Sequence, residues 1–157
     1  MDRDSRERIS ALLHVISIFP VFLMAACIGL SIPLPIKIAA LLGIFLLGLG
    51  ASIMLWATLH LRKGVMGEVK PETEELVSEG PYGFVRHPIY LGMIIAFLGF
   101  FVWMRNIAGI IGVLVLFLPS TVYRAKLEEE ALSHEFGTKW DDYVRKTGFI
   151  LPSLRNC

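Results

Sequence analysis

"IKIAALLGIFLLGLGASIMLWATLHL", Ile36 to Leu61, holds a single charged side chain, Lys37, in 26 residues. As a helix rising about 1.5 Å per residue it would be about 39 Å long, more than the roughly 30 Å hydrocarbon core of a bilayer. The stretch therefore reads as a transmembrane helix. Ile9 to Leu30 is a second run long enough to cross. "SIPLPIK" joins the two, and Pro33 and Pro35 cannot continue a helix, which predicts a tight turn between antiparallel spans. Two more apolar runs follow, Ile89 to Trp103 and Ile107 to Val122. The first of these covers only about 22 Å, so the pair reads as a shorter hairpin that either borrows flanking residues or lies shallow.

The whole chain agrees with that beginning, because 55% of its 157 residues are hydrophobic. A net charge of +1, without a basic stripe, excludes a nucleic-acid partner. Cys27 lies inside an apolar run and Cys157 ends the sequence, which fits neither a disulfide framework nor a metal knuckle. The expected fold is all-α: a single integral membrane domain over 1–157 with about four transmembrane helices, two full spans plus a shorter helical hairpin, and a C-terminal amphipathic tail. Within it, 9–61 forms an N-terminal hairpin and 62–157 a catalytic half.

Charge sets the sidedness. Thirteen of the fifteen basic residues fall on the N-terminus (Arg3, Arg6, Arg8), the middle loop (Arg62, Lys63, Lys70, Arg86) and the tail (Arg124, Lys126, Lys139, Arg145, Lys146, Arg155). Only Lys37 and Arg105 lie on the other face, so the positive-inside rule places both termini and the middle loop in the cytoplasm. "LMAAC", ending at Cys27, loosely resembles a lipoprotein cleavage site, but the apolar run continues past it and more spans follow, which favours a small-residue patch on a spanning helix. Gly43, Gly48 and Gly50 are likewise read as a close-packing surface between helices, in preference to a cofactor approach.

The chemistry then belongs on the cytoplasmic face. In the tail, Leu127, Ala131 and Leu132 share one stripe, followed by Phe136, Trp140 and Tyr143, which predicts an amphipathic helix, a break near Gly137 and a second short helix ending at Gly148. Arg124 and Glu128 are four apart and therefore neighbours on a helix, while Glu129 points about a quarter-turn away. They form either a solvated ion pair or part of a site, and Arg86 and Arg124 at two adjoining helix mouths converge on one place. Pro88 suits the first turn of a helix and puts His87 at the interface, as a snorkelling cap or a ligand contact. "HEFGT" at His134 lacks the second histidine of a zinc motif, so no metal is expected.

"LVSEGPYGFVRHPIYLG" from Leu76, followed by "RAKLEEEAL" from Arg124 and "EFGTKWDDY" from Glu135, resembles the isoprenylcysteine carboxyl methyltransferase family and the wider group of membrane phospholipid methyltransferases. The likeness covers about half the chain, Glu74 to Pro152. It implies an integral membrane enzyme using S-adenosylmethionine without a Rossmann domain, and no G-x-G-x-x-G is present. By resemblance the cofactor positions fall on Leu76, Val77, Tyr82, His87, Pro88, Ile89, Tyr90 and Glu128, and the catalytic, substrate-facing arginine on Arg124. Glu129 would reinforce the negative potential beside Glu128. A further loop contact within "GVMGEVKPETEE" is not assigned, and Glu74 and Glu75 before Leu76 depart from the family pattern.

These residue types suit that donor. Glu128 matches its cationic groups, His87 can hydrogen-bond the ribose or carboxylate, and Tyr82 and Tyr90 offer aromatic faces and hydroxyls. A carboxylate acceptor needs no general base, whereas a phospholipid amine would need deprotonating and an arginine is a poor base. The balance favours O-methylation of a lipophilic or prenylated acid at the membrane surface. Phospholipid N-methylation, an NADPH-dependent reductase of isoprenoid or sterol double bonds, and a non-catalytic membrane scaffold are the alternatives.

Overall fold

The computed structural model describes residues 12–66 and 76–152, leaving aside the side chains of 62–66. The expected readings at Arg3, Arg6, Arg8, Arg62, Lys63, Lys70, Glu74, Glu75, Arg155 and Cys157 lie outside the described residues or side chains. The chain is helical, with two isolated bridges and no strand among the described residues. Helix α1 (Leu12–Cys27) loosens at Ser17, and α2 spans Ile36–Met66. A 3-10 turn at Gly80–Gly83 precedes α3 (Pro88–Trp103). Helix α4 (Ile107–Phe136) contains a π-turn at Val113–Phe117, and α5 covers Thr138–Lys146.

The 36–61 part of α2 and the whole of α4 are long and apolar enough to cross a membrane, while α1 and α3 are shorter apolar helices. Phe19, Leu41, Phe45 and Leu55 are more than half exposed, so the outer surface is one that lipid, not water, must solvate. The all-helical membrane fold stands, but the long and short members are distributed differently from the sequence reading. The helix within Ile9–Leu30 ends at Cys27, with Ile28 already extended. The apolar helix to Val122 and the first tail helix, read as separate, are one continuous helix to Phe136. Pro119 does not end it: it directly follows the π-turn, where Leu118 N–H reaches back five residues to the Val113 carbonyl.

Helix α1 lies against α4, and α2 against α3. Ser17 Oγ, at the loosened turn of α1, meets Ser120 Oγ of α4 at 2.9 Å. The α2–α3 contact is a glycine seam. A Cβ on Gly50 would come within 2.5 Å of the Gly92 carbonyl oxygen, and one on Gly43 within 2.7 Å of the Gly99 carbonyl oxygen. Gly43 and Gly50 are seven residues apart, hence on one face, and so are Gly92 and Gly99. The sequence reading of Gly48 fails, because nothing lies within 4 Å of its missing side chain. Two residues from Gly50, it faces the opposite side of the helix.

The ends of the bundle are distinct. At one, the turn after α1 meets the turn after α3: Ile32 donates to the Arg105 carbonyl at 2.8 Å, and Arg105 donates back to the Ile32 carbonyl through Nε at 3.3 Å and a terminal nitrogen at 3.0 Å. Those bonds hold Arg105 at φ 54, a left-handed conformation rare for a side chain of this size. The 76–87 loop and the tail gather at the other end. Replacement of Gly50 or Gly92 by leucine is expected to lower stability by about 1–3 kcal/mol through overpacking. Gly48→Ala should be neutral or stabilising by up to about 1 kcal/mol, as thermal unfolding in detergent would show.

Candidate functional site

The loop before α3 is shaped by local chemistry. Gly80 adopts φ 60 directly beneath the His60 ring of α2, which a Cβ at that position would strike. The 3-10 turn then carries Tyr82, and Pro88 opens α3 with His87 as its N-cap residue. The tail comes back alongside this loop. Arg86 N–H donates to the Gly148 carbonyl at 2.8 Å, His87 N–H to the Phe149 carbonyl at 3.2 Å, and Gly148 N–H to the Phe84 carbonyl at 3.1 Å. The Tyr143 hydroxyl adds a bond to the Tyr82 carbonyl at 2.8 Å. Two blocks about sixty residues apart thus become one surface.

Arg86 is the centre of that junction. Its Nε donates to Glu129 Oε1 at 2.5 Å and one terminal nitrogen donates to the Thr147 carbonyl at 2.7 Å. The side chain is only 10% exposed and lies over the Phe149 ring. It is turned inward among backbone carbonyls.

A second network stands beside it and is more open. Arg124 Nε donates to the Tyr90 hydroxyl at 3.0 Å, Tyr90 donates to Glu128 Oε1 at 2.6 Å, and an Arg124 terminal nitrogen reaches the same oxygen at 3.2 Å. The Glu128 side chain is 38% exposed, so this carboxylate looks outward while that of Glu129 is committed to Arg86. His87 is buried between them, its Nδ1 3.8 Å from Glu128 Oε2 and its Nε2 3.3 Å from Glu129 Oε1. The Nε2 contact lacks hydrogen-bond alignment, which leaves that nitrogen buried without a hydrogen-bond partner. The His87 ring lies nearly parallel to that of Tyr90, 5.6 Å away.

Of the residues singled out in the sequence, the structure brings His87, Tyr90, Arg124, Glu128 and Glu129 into one cluster. Tyr82 adjoins it through the Tyr143 bond. Pro88 is buried at the start of α3, Ile89 is half-buried next to it, and Leu76 and Val77 are half-buried where the described chain resumes. The predicted break at Gly137 and the short helix after it are present. Reading the sequence alone missed His14 of α1, which is buried with its ring 5.7 Å from that of Tyr90. The available signal was a histidine inside an otherwise apolar run, "ALLHVISIF". Burial raises the pKa of the Tyr82 hydroxyl, with Glu128 adding to the effect, and burial pushes that of Tyr143 up to about 12.

Residues 38–139 match the family profile described as phospholipid methyltransferase. The chain is 40% identical over 77 residues to a methanethiol S-methyltransferase of Pseudomonas deceptionensis, covering 47% of this chain and 27% of that protein. It is 31% identical over 120 residues to the nickel-cobalt-cadmium resistance protein NccN of Alcaligenes xylosoxydans xylosoxydans, covering 74% and 52%. To the mouse (Mus musculus) protein-S-isoprenylcysteine O-methyltransferase it is 32% identical over 94 residues, covering 58% and 32%. The chain spans between about a quarter and about a half of the length of these relatives.

Arg86→Met should cost about 3–5 kcal/mol, because it strands the half-buried Glu129 carboxylate, and should raise hydrogen exchange across 138–149. Tyr143→Phe should cost about 1 kcal/mol. The Tyr143 hydroxyl is held protonated above the value of about 10 that it has in an unfolded chain. Its contribution is therefore whole below pH 10 and lost as pH rises through about 12, an alkaline step that Tyr143→Phe should remove from an unfolding profile.

Proposed function

The chain belongs to the phospholipid methyltransferase family, and from that premise we propose that it is an S-adenosylmethionine-dependent membrane methyltransferase acting on a lipophilic carboxylic acid at the cytoplasmic face. The observation that carries this reading is the Arg124–Tyr90–Glu128 network: one outward carboxylate and one guanidinium, fixed by a shared phenol at the mouth of two apolar helices.

The residues present fit the cofactor. Its amino and sulfonium groups need an accessible anion, and Glu128, held through Oε1 by Tyr90 and Arg124 and 38% exposed, offers its second carboxylate oxygen. Its ribose or carboxylate needs a polar partner, and the buried His87 Nε2 has no aligned one. The paired His87 and Tyr90 rings offer an aromatic face for adenine, with Tyr82, Leu76, Val77, Pro88 and Ile89 as its surroundings. Glu129 supports the site indirectly, by holding Arg86 and through it the tail.

When bound, S-adenosylmethionine supplies an electrophilic methyl group on a sulfonium. Arg124 holds the acceptor carboxylate with its oxygen directed at that methyl group, and Tyr90 keeps the guanidinium from turning away. No residue has to remove a proton, since the acid is already ionised near neutral pH. The apolar helices exclude water, which sustains the attraction between acceptor anion and donor cation. The membrane carries the acceptor to the site, so a long apolar chain is the expected feature of the substrate, whether a free acid or a prenylated one.

Arg124→Lys is expected to lower turnover of a long-chain acid about 100-fold, because an ammonium cannot reproduce the forked contact. Glu128→Gln is expected to weaken binding of the methyl donor about 10- to 100-fold in calorimetry. Absence of measurable donor binding by the intact protein would refute the reading.

A further inference from the structure

Tyr82 reaches the site on a short turn that is fixed from two sides. On the side of the tail, the Tyr143 hydroxyl donates to the Tyr82 carbonyl at 2.8 Å. On the other side the support is α2, which packs against the turn at Gly80–Gly83. Gly80, at φ 60, lies so close to the His60 ring that a Cβ there would strike both Cδ2 and Nε2. The turn is also stiff. Tyr82 N–H donates to the Glu79 carbonyl, and Phe84 and Val85 N–H both donate to that of the buried Pro81, each at 3.2 Å. A displacement at Gly80 is therefore carried to Tyr82.

The His60 ring is itself held in place. Its Nδ1 lies 3.0 Å from the Trp56 carbonyl one helical turn back, and a carbonyl oxygen can only accept, so Nδ1 donates. The Trp56 ring meets it edge-on, with centroids 5.8 Å apart. Helix α2 is in turn fixed against α3 where Gly50 meets Gly92, and α3 carries Tyr90 in its first turn. A continuous line of packed groups thus runs from Tyr90 along α3, across the glycine seam, up α2 to His60 and onto Gly80. It ties the two stretches that supply the proposed donor contacts, one before His87 and one after it, to a common frame.

We propose that His60 is a positioning residue for the methyl donor: its ring is the floor on which the turn rests, and it sets where Leu76, Val77 and Tyr82 stand relative to His87 and Tyr90. The proposal rests on the methyltransferase reading and deepens it. His60 acts through Gly80 and touches neither donor nor acceptor. Arg124, Tyr90 and Glu128 are held together by their own hydrogen bonds, so removal of the floor leaves the acceptor side in place. The cost falls on donor binding, in the ground state and the transition state alike.

The test measures S-adenosylmethionine binding by calorimetry and methyl transfer to dodecanoic acid, with the full chain in detergent. His60→Ala is expected to weaken donor binding about tenfold, while kcat at saturating donor stays within about twofold of the unsubstituted chain. His60→Phe keeps a flat ring beneath Gly80 and should bind the donor within about threefold of the unsubstituted chain. Calorimetry counts the folded sites separately from their affinity, so a variant that merely folds less well loses sites and keeps its affinity. Unchanged donor affinity in His60→Ala, a fall in kcat without a change in donor affinity, or equal weakening in His60→Phe and His60→Ala overturns the proposal and leaves the methyltransferase reading intact. Absence of donor binding by the unsubstituted chain overturns that reading, and this proposal with it.

Discussion

The end of the bundle where the loop before α3 meets the tail depends on one buried cation. Arg86 sits where the loop before α3, the C-terminal end of α4 and the close of α5 meet, and it has a partner on each: its own loop backbone to Gly148, Glu129 on α4, and the carbonyl of Thr147. A guanidinium suits this junction because several fixed N–H groups can reach acceptors in different directions. A hydrophobic side chain would leave the carboxylate and the carbonyl unpaired. The consequence for the site is geometric. Once the tail is docked, His87 and Tyr90 on one side and Arg124 and Glu128 on the other have their separation set.

The glycine seam does the corresponding work within the bundle. It lets α2 and α3 approach until backbone meets backbone, which fixes how far α3 projects and therefore where Tyr90 lies, two residues into the helix. Helix α1 is docked separately, by Ser17 on Ser120 and His14 on Thr121. A membrane protein gains little from burying apolar surface away from lipid, so these small-residue and polar contacts are where its helix placement is decided.

Much of this was legible in the sequence where the relevant physics is local. Pro88 could only open a helix, Gly137 was a natural break, and the four-residue spacing of Arg124 and Glu128 required them to be neighbours. What was not legible depends on partners far along the chain. Nothing near Arg86 shows that it will meet residue 147. Gly48 resembles Gly50 until the rotation of α2 against α3 is known. The continuity of the apolar run with the tail helix was missed because hydropathy falls after Val122, although helix geometry does not depend on hydropathy. His14 stood out only as a polar interruption, and its surroundings come from α3 and α4.

The π-turn at Val113–Phe117 changes how α4 can vary over time. One wide turn amounts to a residue inserted into an otherwise regular helix, offsetting everything after it by about 100°. The half of α4 that contacts α1 and the half that bears Arg124 and Glu128 therefore follow separate angular registers. Loss of a single codon within 113–117 is absorbed by closing the wide turn to a regular one, which leaves both charged side chains facing Tyr90, whereas the same loss elsewhere between 118 and 123 would swing them about 100° away.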